Sequence, residues 1–174
     1  MVRKSPIEHD LPGLRLLVIR HGKAERQAPS GKDEDRALKP RGERQAEWLG
    51  EYLRSEHVLP ALILHSPVLR AVQTARTLHA RTKSPLQQVM ALALGEPVRG
   101  VVHLVMSYRG MGTLALVGHN PQLSTLAAAM VPDLDEHDVD LRTGECLVLD
   151  VAPGVDVTSA MLTDRWRLEE DEED

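Results

Sequence analysis

Residues 14–23 read LRLLVIRHGK, an apolar run that ends in an arginine, a histidine, a glycine and a lysine. Residues 14–19 have the length and composition of a buried strand. In an open α/β sheet, ligands bind beyond the carboxyl ends of the strands, which is where Arg20 and His21 fall. Gly22 allows the backbone to turn sharply at that point. The segment therefore predicts a strand that carries a guanidinium and an imidazole to a site for an anionic substrate.

Two further junctions repeat this pattern. Residues 113–117 (TLALV) predict a strand that runs into Gly118-His119-Asn120-Pro121. Residues 61–65 predict another, followed by Ser66-Pro67, which we expect to cap and open a helix. Arg70 would then lie about one turn inside that helix, near its positive dipole end. If the three strands are neighbours, their polar ends meet at one edge of the sheet.

Strand-like and helix-like segments alternate along the chain, which predicts a parallel or mixed sheet with helices on both faces. Residues 25–39 are polar and are expected to form a long loop. The other predicted helices are 40–56, 97–109 and 122–130, and the other predicted strands are 86–92, 146–151 and 158–162.

The length of 174 residues fits one compact domain with a full hydrophobic core. Hydrophobic residues at 42% and charged residues at 27% are typical of globular domains. We predict an N-terminal leader over residues 1–13, a single domain over 14–168 and an acidic tail over 169–174.

Composition argues against several classes of protein. The net charge of -5 gives no general attraction for nucleic acid or anionic membranes, and two tryptophans and two tyrosines offer little surface for stacking bases. The single cysteine, Cys146, excludes an internal disulfide. No apolar stretch approaches the ~20 residues needed to span a bilayer. We therefore expect a cytoplasmic enzyme or binding domain without a nucleic-acid or membrane partner.

The residue types at the three strand ends suit phosphoryl transfer. A neutral imidazole such as His21 is a competent nucleophile near neutral pH. Arg20 and Arg70 would bind phosphoryl oxygens through bidentate hydrogen bonds from guanidiniums that stay charged, and a protonated His119 would donate to a remaining oxygen. The guanidiniums replace a metal in this scheme. The sequence holds no HExxH, EF-hand or GxxxxGK[ST] motif, so no metal or cofactor is expected.

Four groups of residues together resemble the motifs of the histidine phosphatase superfamily, and most of all its SixA-type phosphohistidine phosphatase branch. They are RHGKAE at 20–25, DEDRAL at 33–38, SPVLRAVQT at 66–74 and GHNP at 118–121. The resemblance implies a phosphoglycerate mutase-like fold, a three-layer α/β/α sandwich around a mostly parallel sheet. It also implies that His21 is the phosphorylated nucleophile, that Arg20 and Arg70 clamp the phosphate, and that His119 is the second histidine of the pocket.

The residue that protonates the leaving group is not fixed by these motifs. Many members of the superfamily carry a carboxylic acid for this step, in an inserted region for which this short chain has no room. Asp33, Asp35 and Glu96 are candidates, and Glu96 follows a predicted strand, so that it could reach the rim of the site. Each is also open to a simpler interpretation, as a loop carboxylate or an ion-pair partner of Arg36 or Arg41.

The leading hypothesis is a metal-independent phosphatase that works through a covalent phosphohistidine and acts on a phosphohistidine-bearing signalling protein. The alternatives are a phosphatase of small phosphate esters, a phosphoglycerate mutase-like enzyme and a phosphate-binding module without catalysis. A shallow site would favour a protein substrate, and a deep one would favour small esters. The substrate and the oligomeric state do not follow from the sequence.

Overall fold

The computed structural model describes residues 11–169, which form a six-stranded sheet with four α-helices. The strands are β1 Leu14–Arg20, β2 Leu62–His65, β3 Leu86–Gln88, β4 Thr113–Gly118, β5 Cys146–Val151 and β6 Met161–Trp166. The helices are α1 Pro40–Ser55, α2 Leu69–Thr82, α3 Val98–Ser107 and α4 Gln122–Met130. The predicted leader, apart from residues 11–13, and the predicted tail, apart from Glu169, lie outside the described residues.

The strands follow the order β3-β2-β4-β1-β5-β6 across the sheet. The first four of these pair in parallel, whereas β5 is antiparallel to β1 and β6 is antiparallel to β5. Only β5 therefore runs against the other strands of this sheet. The mostly parallel α/β sheet predicted from the sequence is confirmed.

Both faces of the sheet are covered by helices. Successive strand residues point to opposite faces, so each strand contributes side chains to the core on either side. In β1, Leu16 and Val18 belong to the core under α3 and α4, whereas Leu17 and Ile19 belong to the core under α1 and α2. All four side chains are fully buried. A central parallel strand is expected to be apolar on both faces, as β1 is. The three-layer α/β/α sandwich is thus confirmed.

The helix α1 shows how the sequence sets these layers. It begins at Pro40, whose fixed φ and missing N–H suit the first helical position. Its apolar face is buried at Ala46, Leu49 and Leu53, and the two leucines belong to the core on this side of the sheet. None of the helices in the described part of the chain has the length and apolarity to cross a membrane.

The start of α2 differs from the prediction. The helix begins at Leu69, with the extended residue Val68 as its N-cap. Ser66 therefore does not cap the helix, and its hydroxyl accepts only a long hydrogen bond of 3.4 Å from the Val68 N–H. This leaves the Ser66 hydroxyl free for another role.

The two outer strands also differ from the prediction. The strand expected over 86–92 ends at Gln88, and residues 90–92 form a 3₁₀ turn. The strand expected over 158–162 instead begins at Met161. Its predicted start lies in a 3₁₀ turn, because the Asp156 carboxylate accepts a 2.8 Å hydrogen bond from the Thr158 N–H.

The sheet order places three strand ends side by side. β4 lies between β2 and β1, and the register aligns Arg20 with Gly118 and His65 with Val117. The residues that follow these strands therefore emerge at one edge of the sheet, where ligands bind in open α/β folds.

Candidate active site

Two imidazoles and the Arg70 guanidinium meet where β1, β4 and β2 end. The ring centroids of His21 and His119 are 5.2 Å apart, with an angle of 53° between the ring planes. Arg70, in the first turn of α2, donates from Nε to His21 Nε2 at 3.2 Å. His21, Arg70 and His119 are 7%, 3% and 4% exposed, so that the three polar side chains form a buried cluster.

The hydrogen bonds of His21 determine which ring nitrogen carries its proton. A guanidinium can only donate, so Nε2, which receives the Arg70 bond, must be the lone-pair nitrogen. The proton then lies on Nδ1, which donates to the Gly22 carbonyl oxygen at 2.7 Å. The turn at Gly22 thus directs the unprotonated nitrogen of His21 towards the arginine.

The surroundings of His21 keep its imidazole neutral. Burial, together with the charges of Arg70, Arg20 and Arg36, lowers the pKa of His21 to about 4 against the opposing effect of the hydrogen bond to Gly22. A neutral ring with a free Nε2 lone pair has the protonation state that a nucleophile needs.

His119 is held by the hydroxyl that was expected to cap α2. Its Nε2 lies 2.7 Å from Ser66 Oγ, and its Nδ1 is buried without a partner among the described residues. Because Ser66 accepts from Val68, its own proton is free to be donated to His119 Nε2. When Ser66 donates to Nε2, the ring proton lies on Nδ1, where it can be donated to a ligand.

The expectation of a protonated His119 needs correction. Burial, together with the nearby His21 and Arg70, lowers the pKa of His119 to about 3. His119 is therefore neutral here, and it donates as neutral Nδ1–H unless a bound anion raises its pKa.

Arg20 closes the site from the end of β1. Its Nη1 donates to the Leu141 carbonyl oxygen at 2.6 Å, whereas its Nε is buried and unpartnered within residues 11–169. Burial lowers the pKa of Arg20, with nearby Arg70 adding to the effect and Asp140 and Glu145 opposing it. Arg20 thus has a free donor in the same electrostatic neighbourhood as both imidazoles.

The three candidate acids lie in different surroundings. Asp33 accepts hydrogen bonds from Arg70 Nη2 at 2.9 Å and from Arg36 Nε at 2.8 Å, and it is thus an arginine partner. Asp35 accepts a hydrogen bond from the Ser30 hydroxyl at 2.7 Å. Glu96 lines a cavity of about 300 Å³ that His119 also lines. Glu96 therefore shares a cavity with His119, whereas Asp33 is bonded to the arginine that contacts His21.

Backbone contacts support the loop that carries His21. The Gly22 N–H donates to Thr74 Oγ1 at 3.1 Å, and that hydroxyl in turn donates to the Arg70 carbonyl at 2.8 Å. Gly144, at φ 73°, donates its N–H to the His21 carbonyl oxygen at 3.0 Å. These bonds connect the loop to α2 and to the turn before β5.

Comparisons with known proteins agree with this architecture. The model of the histidine phosphatase superfamily (branch 1) matches residues 16–93. An uncharacterised protein of Picosynechococcus sp. is 31% identical over 135 residues, which are 74% of this chain and 80% of that protein.

Solved structures show the same fold. A protein assigned as the phosphohistidine phosphatase SixA of Agrobacterium tumefaciens is similar with a TM-score of 0.77 and 24% identity, over 89% of this chain and 97% of that one. The protein histidine phosphatase SixA in complex with tungstate is similar with a TM-score of 0.79 and 19% identity, over 88% of this chain and 96% of that one.

Proposed function

This chain belongs to the histidine phosphatase superfamily, and this membership supports the activity of a phosphatase. We propose that it hydrolyses phosphohistidine on a protein through a covalent phosphohistidine of its own. The observation that carries this proposal is the neutral His21, whose lone-pair Nε2 lies against the Arg70 guanidinium. A module that only bound phosphate would have no need of a neutral imidazole at that position. We assign the reaction to the domain over residues 14–168, and a location in the cytoplasm stays a prediction.

In the first step, the Nε2 lone pair of His21 attacks the phosphorus atom of the substrate. The N–P bond forms while the bond from phosphorus to the leaving group breaks, and the leaving group takes the electron pair. Arg20 and Arg70 stabilise the charge on the phosphoryl oxygens, and His119 donates from Nδ1 to one of them. The Nδ1–H of His21 stays bonded to Gly22, which stabilises the positive charge that develops on the ring.

In the second step, water attacks the phosphorus of the phosphorylated His21. The N–P bond breaks, its electron pair returns to Nε2, and inorganic phosphate leaves. With an imidazole leaving group the proton released by the water stays on the phosphate product. Where an acid has protonated the leaving group, its conjugate base takes that proton instead, so that the free enzyme is restored.

Glu96 is the proton donor that we propose for substrates that need one. Glu96 lines the cavity beside His119, and the Glu96 carbonyl oxygen accepts a 2.9 Å hydrogen bond from the Gln122 side chain. Asp33 is less suited, because it is bonded to two arginines. A phosphohistidine leaving group is an imidazole nitrogen, which depends less on such a donor.

A protein substrate is favoured over a small ester by two observations. Leu94 and Glu96, which line the cavity, are exposed, so that a partner surface can approach them. The fold is that of two structures described as phosphohistidine phosphatases, one of which binds tungstate, an oxyanion like phosphate. The second candidate function, hydrolysis of a small phosphate ester, is favoured by the cavity of about 300 Å³ beside His119.

The test compares kcat/KM for a phosphohistidine-bearing phosphocarrier protein with kcat/KM for a panel of small phosphate esters that includes phosphoglycerates. We expect the protein substrate to be preferred and the His21→Ala variant to be inactive on all substrates. A higher kcat/KM for one of the esters than for the phosphocarrier protein would contradict the assignment of a protein substrate. Transfer of phosphate between positions of a phosphoglycerate, rather than its release, would indicate a mutase.

A further inference from the structure

Three of the five N–H groups of the Arg70 guanidinium are bonded, and two of these three bonds go to Asp33. Nη2 donates to the Asp33 carboxylate at 2.9 Å, and Nη1 donates to the Asp33 carbonyl at 2.8 Å. The third bond, from Nε, goes to His21. The Arg70 side chain is 4% exposed and the Asp33 side chain 54%, so that an exposed carboxylate covers a buried guanidinium.

A carboxylate paired with Arg70 offsets the charge that would attract a phosphoryl group, and it occupies an N–H that a phosphoryl oxygen could accept. The bond to the Asp33 carbonyl is made by backbone, and the bond to His21 orients the nucleophile. The Asp33 carboxylate has the same sign of charge as the incoming substrate, and its side chain is the freest of the partners.

We propose that Asp33 is a latch on Arg70, whose carboxylate pairs with the guanidinium and is exchanged for a phosphoryl oxygen when substrate binds. The proposal rests on the proposed function, because it requires Arg70 to bind phosphate. Asp33 acts through Arg70 and is therefore a positioning residue for the empty site.

Arg36 provides a place for the displaced carboxylate. Its Nε donates to the other Asp33 oxygen at 2.8 Å, and its Nη1 donates to the Glu25 carbonyl at 2.7 Å. Arg36 is thus fixed to the loop and keeps a charge beside Asp33 after Arg70 is released. Desolvation raises the pKa of Asp33, but the hydrogen bonds from Arg36 and Arg70 outweigh it and lower that pKa overall. The Asp33 carboxylate is therefore charged at neutral pH.

The experiment measures binding of tungstate and inorganic phosphate by calorimetry to the full-length protein. The variants are Asp33→Asn and Asp33→Ala, with Asp35→Asn as the matched control. Asp35 lies in the same 3₁₀ turn and loses the same charge, but its carboxylate is bonded to Ser30 rather than to Arg70. An Arg70→Ala variant shows that binding occurs in this pocket.

We expect both Asp33 variants to bind the oxyanions roughly two- to fivefold more tightly than the Asp35→Asn variant, which is the range of an exposed ion pair. Equal or weaker binding by the Asp33 variants, with wild-type binding intact and lost in Arg70→Ala, would overturn the latch alone. If the wild-type protein bound neither oxyanion, the proposed function would fail together with the latch.

Kinetics provide a second readout that separates a latch from a proton donor. A latch predicts that Asp33→Asn lowers KM while kcat is kept, because the variant no longer competes with substrate. A fall in kcat that is larger for esters with poor leaving groups would identify Asp33 as the proton donor and overturn the proposal.

Discussion

The protonation of the two imidazoles depends on one hydrogen-bond partner for each ring. The Gly22 carbonyl oxygen accepts a hydrogen bond from His21 Nδ1–H, and the Ser66 hydroxyl contacts Nε2 of His119. The two rings therefore offer opposite nitrogens to a ligand, with a lone pair on His21 and an N–H on His119. This difference matches a nucleophile beside a donor, which is what an in-line phosphoryl transfer needs.

Replacing Ser66 by alanine tests the role assigned to this hydroxyl. Without it, His119 Nε2 loses its donor and the ring is free to adopt the other tautomer. We expect kcat to fall roughly 10- to 100-fold, somewhat less than the loss of a complete oxyanion donor. Ser107→Ala is the control, because that exposed hydroxyl bonds only to the His103 carbonyl. An unchanged kcat in Ser66→Ala, with a native melting curve, would show that the Ser66 bond has no catalytic role.

The four residues proposed to carry the chemistry could be named from the sequence, because each follows or lies near the end of an apolar run. The Ser66–His119 bond could not be predicted, since it joins residues 53 positions apart and depends on β2 lying beside β4. Asp33 was recognised only as a possible acid or an arginine partner. The contact with Arg70 follows from how the loop folds over the strand ends.

The connection between β1 and α1 requires two glycines in close contact. A Cβ at Gly22 would overlap the Gly42 carbonyl, and a Cβ at Gly42 would overlap the Lys23 backbone. The first turn of α1 can therefore approach the His21 loop more closely than any side chain would allow. This contact fixes the position of His21 relative to the helix layer.

Gly22→Ala is expected to separate these two elements. The overlap should lower the free energy of unfolding by about 1–3 kcal/mol and displace His21, so that kcat falls as well. Gly100→Ala in α3 is the control, because its Cβ would meet only the Ala91 Cβ at 3.9 Å. That variant should be about 0.5–1 kcal/mol more stable than the wild type. Equal unfolding midpoints of the two variants in denaturant would contradict the close packing at Gly22.

The bounds of a helix or strand are predicted more accurately from the sequence when the element is buried. Residues 122–130 and 146–151 were predicted with the observed bounds, because their apolar pattern reflects a buried face. β3 and β6 were placed less well. They are the edge strands, half-buried to exposed along most of their length, and so lack the pattern that marks a strand.

Two buried neutral histidines make the stability of the whole molecule dependent on pH. The pKa values of about 4 for His21 and about 3 for His119 lie below the 6.5 of an exposed histidine. The unfolded chain therefore binds more protons than the folded one at mildly acidic pH. Stability contributed by these groups is complete above pH 6.5 and is lost as the pH falls towards the folded values.

The free energy of unfolding should fall between about pH 6.5 and 4.5 with a slope of up to roughly 1.4 kcal/mol per pH unit for each of the two histidines. Chemical denaturation at several pH values measures this slope. His119→Gln should lose about half of it, whereas His103→Gln, at an exposed position, should keep it. A flat profile for the wild type would mean that the two imidazoles are not held neutral by burial.

The convergence of the site is a property of the sheet order rather than of any one segment. Sequence periodicity predicts that strands end at Ile19 and Val117, two residues before each histidine, but only the adjacency of β1 and β4 brings the two rings to 5.2 Å. The alternation of strands and helices favoured such an order without determining it.

The most direct measurement of the proposed chemistry is to trap the phosphorylated enzyme. The protein is mixed with a radiolabelled phosphohistidine substrate, quenched in base and digested to locate the label. We expect a label that is stable in base, labile in acid and located on His21, and absent from His21→Ala. An acid-stable label, a label on another residue, or full turnover by His21→Ala would contradict the mechanism.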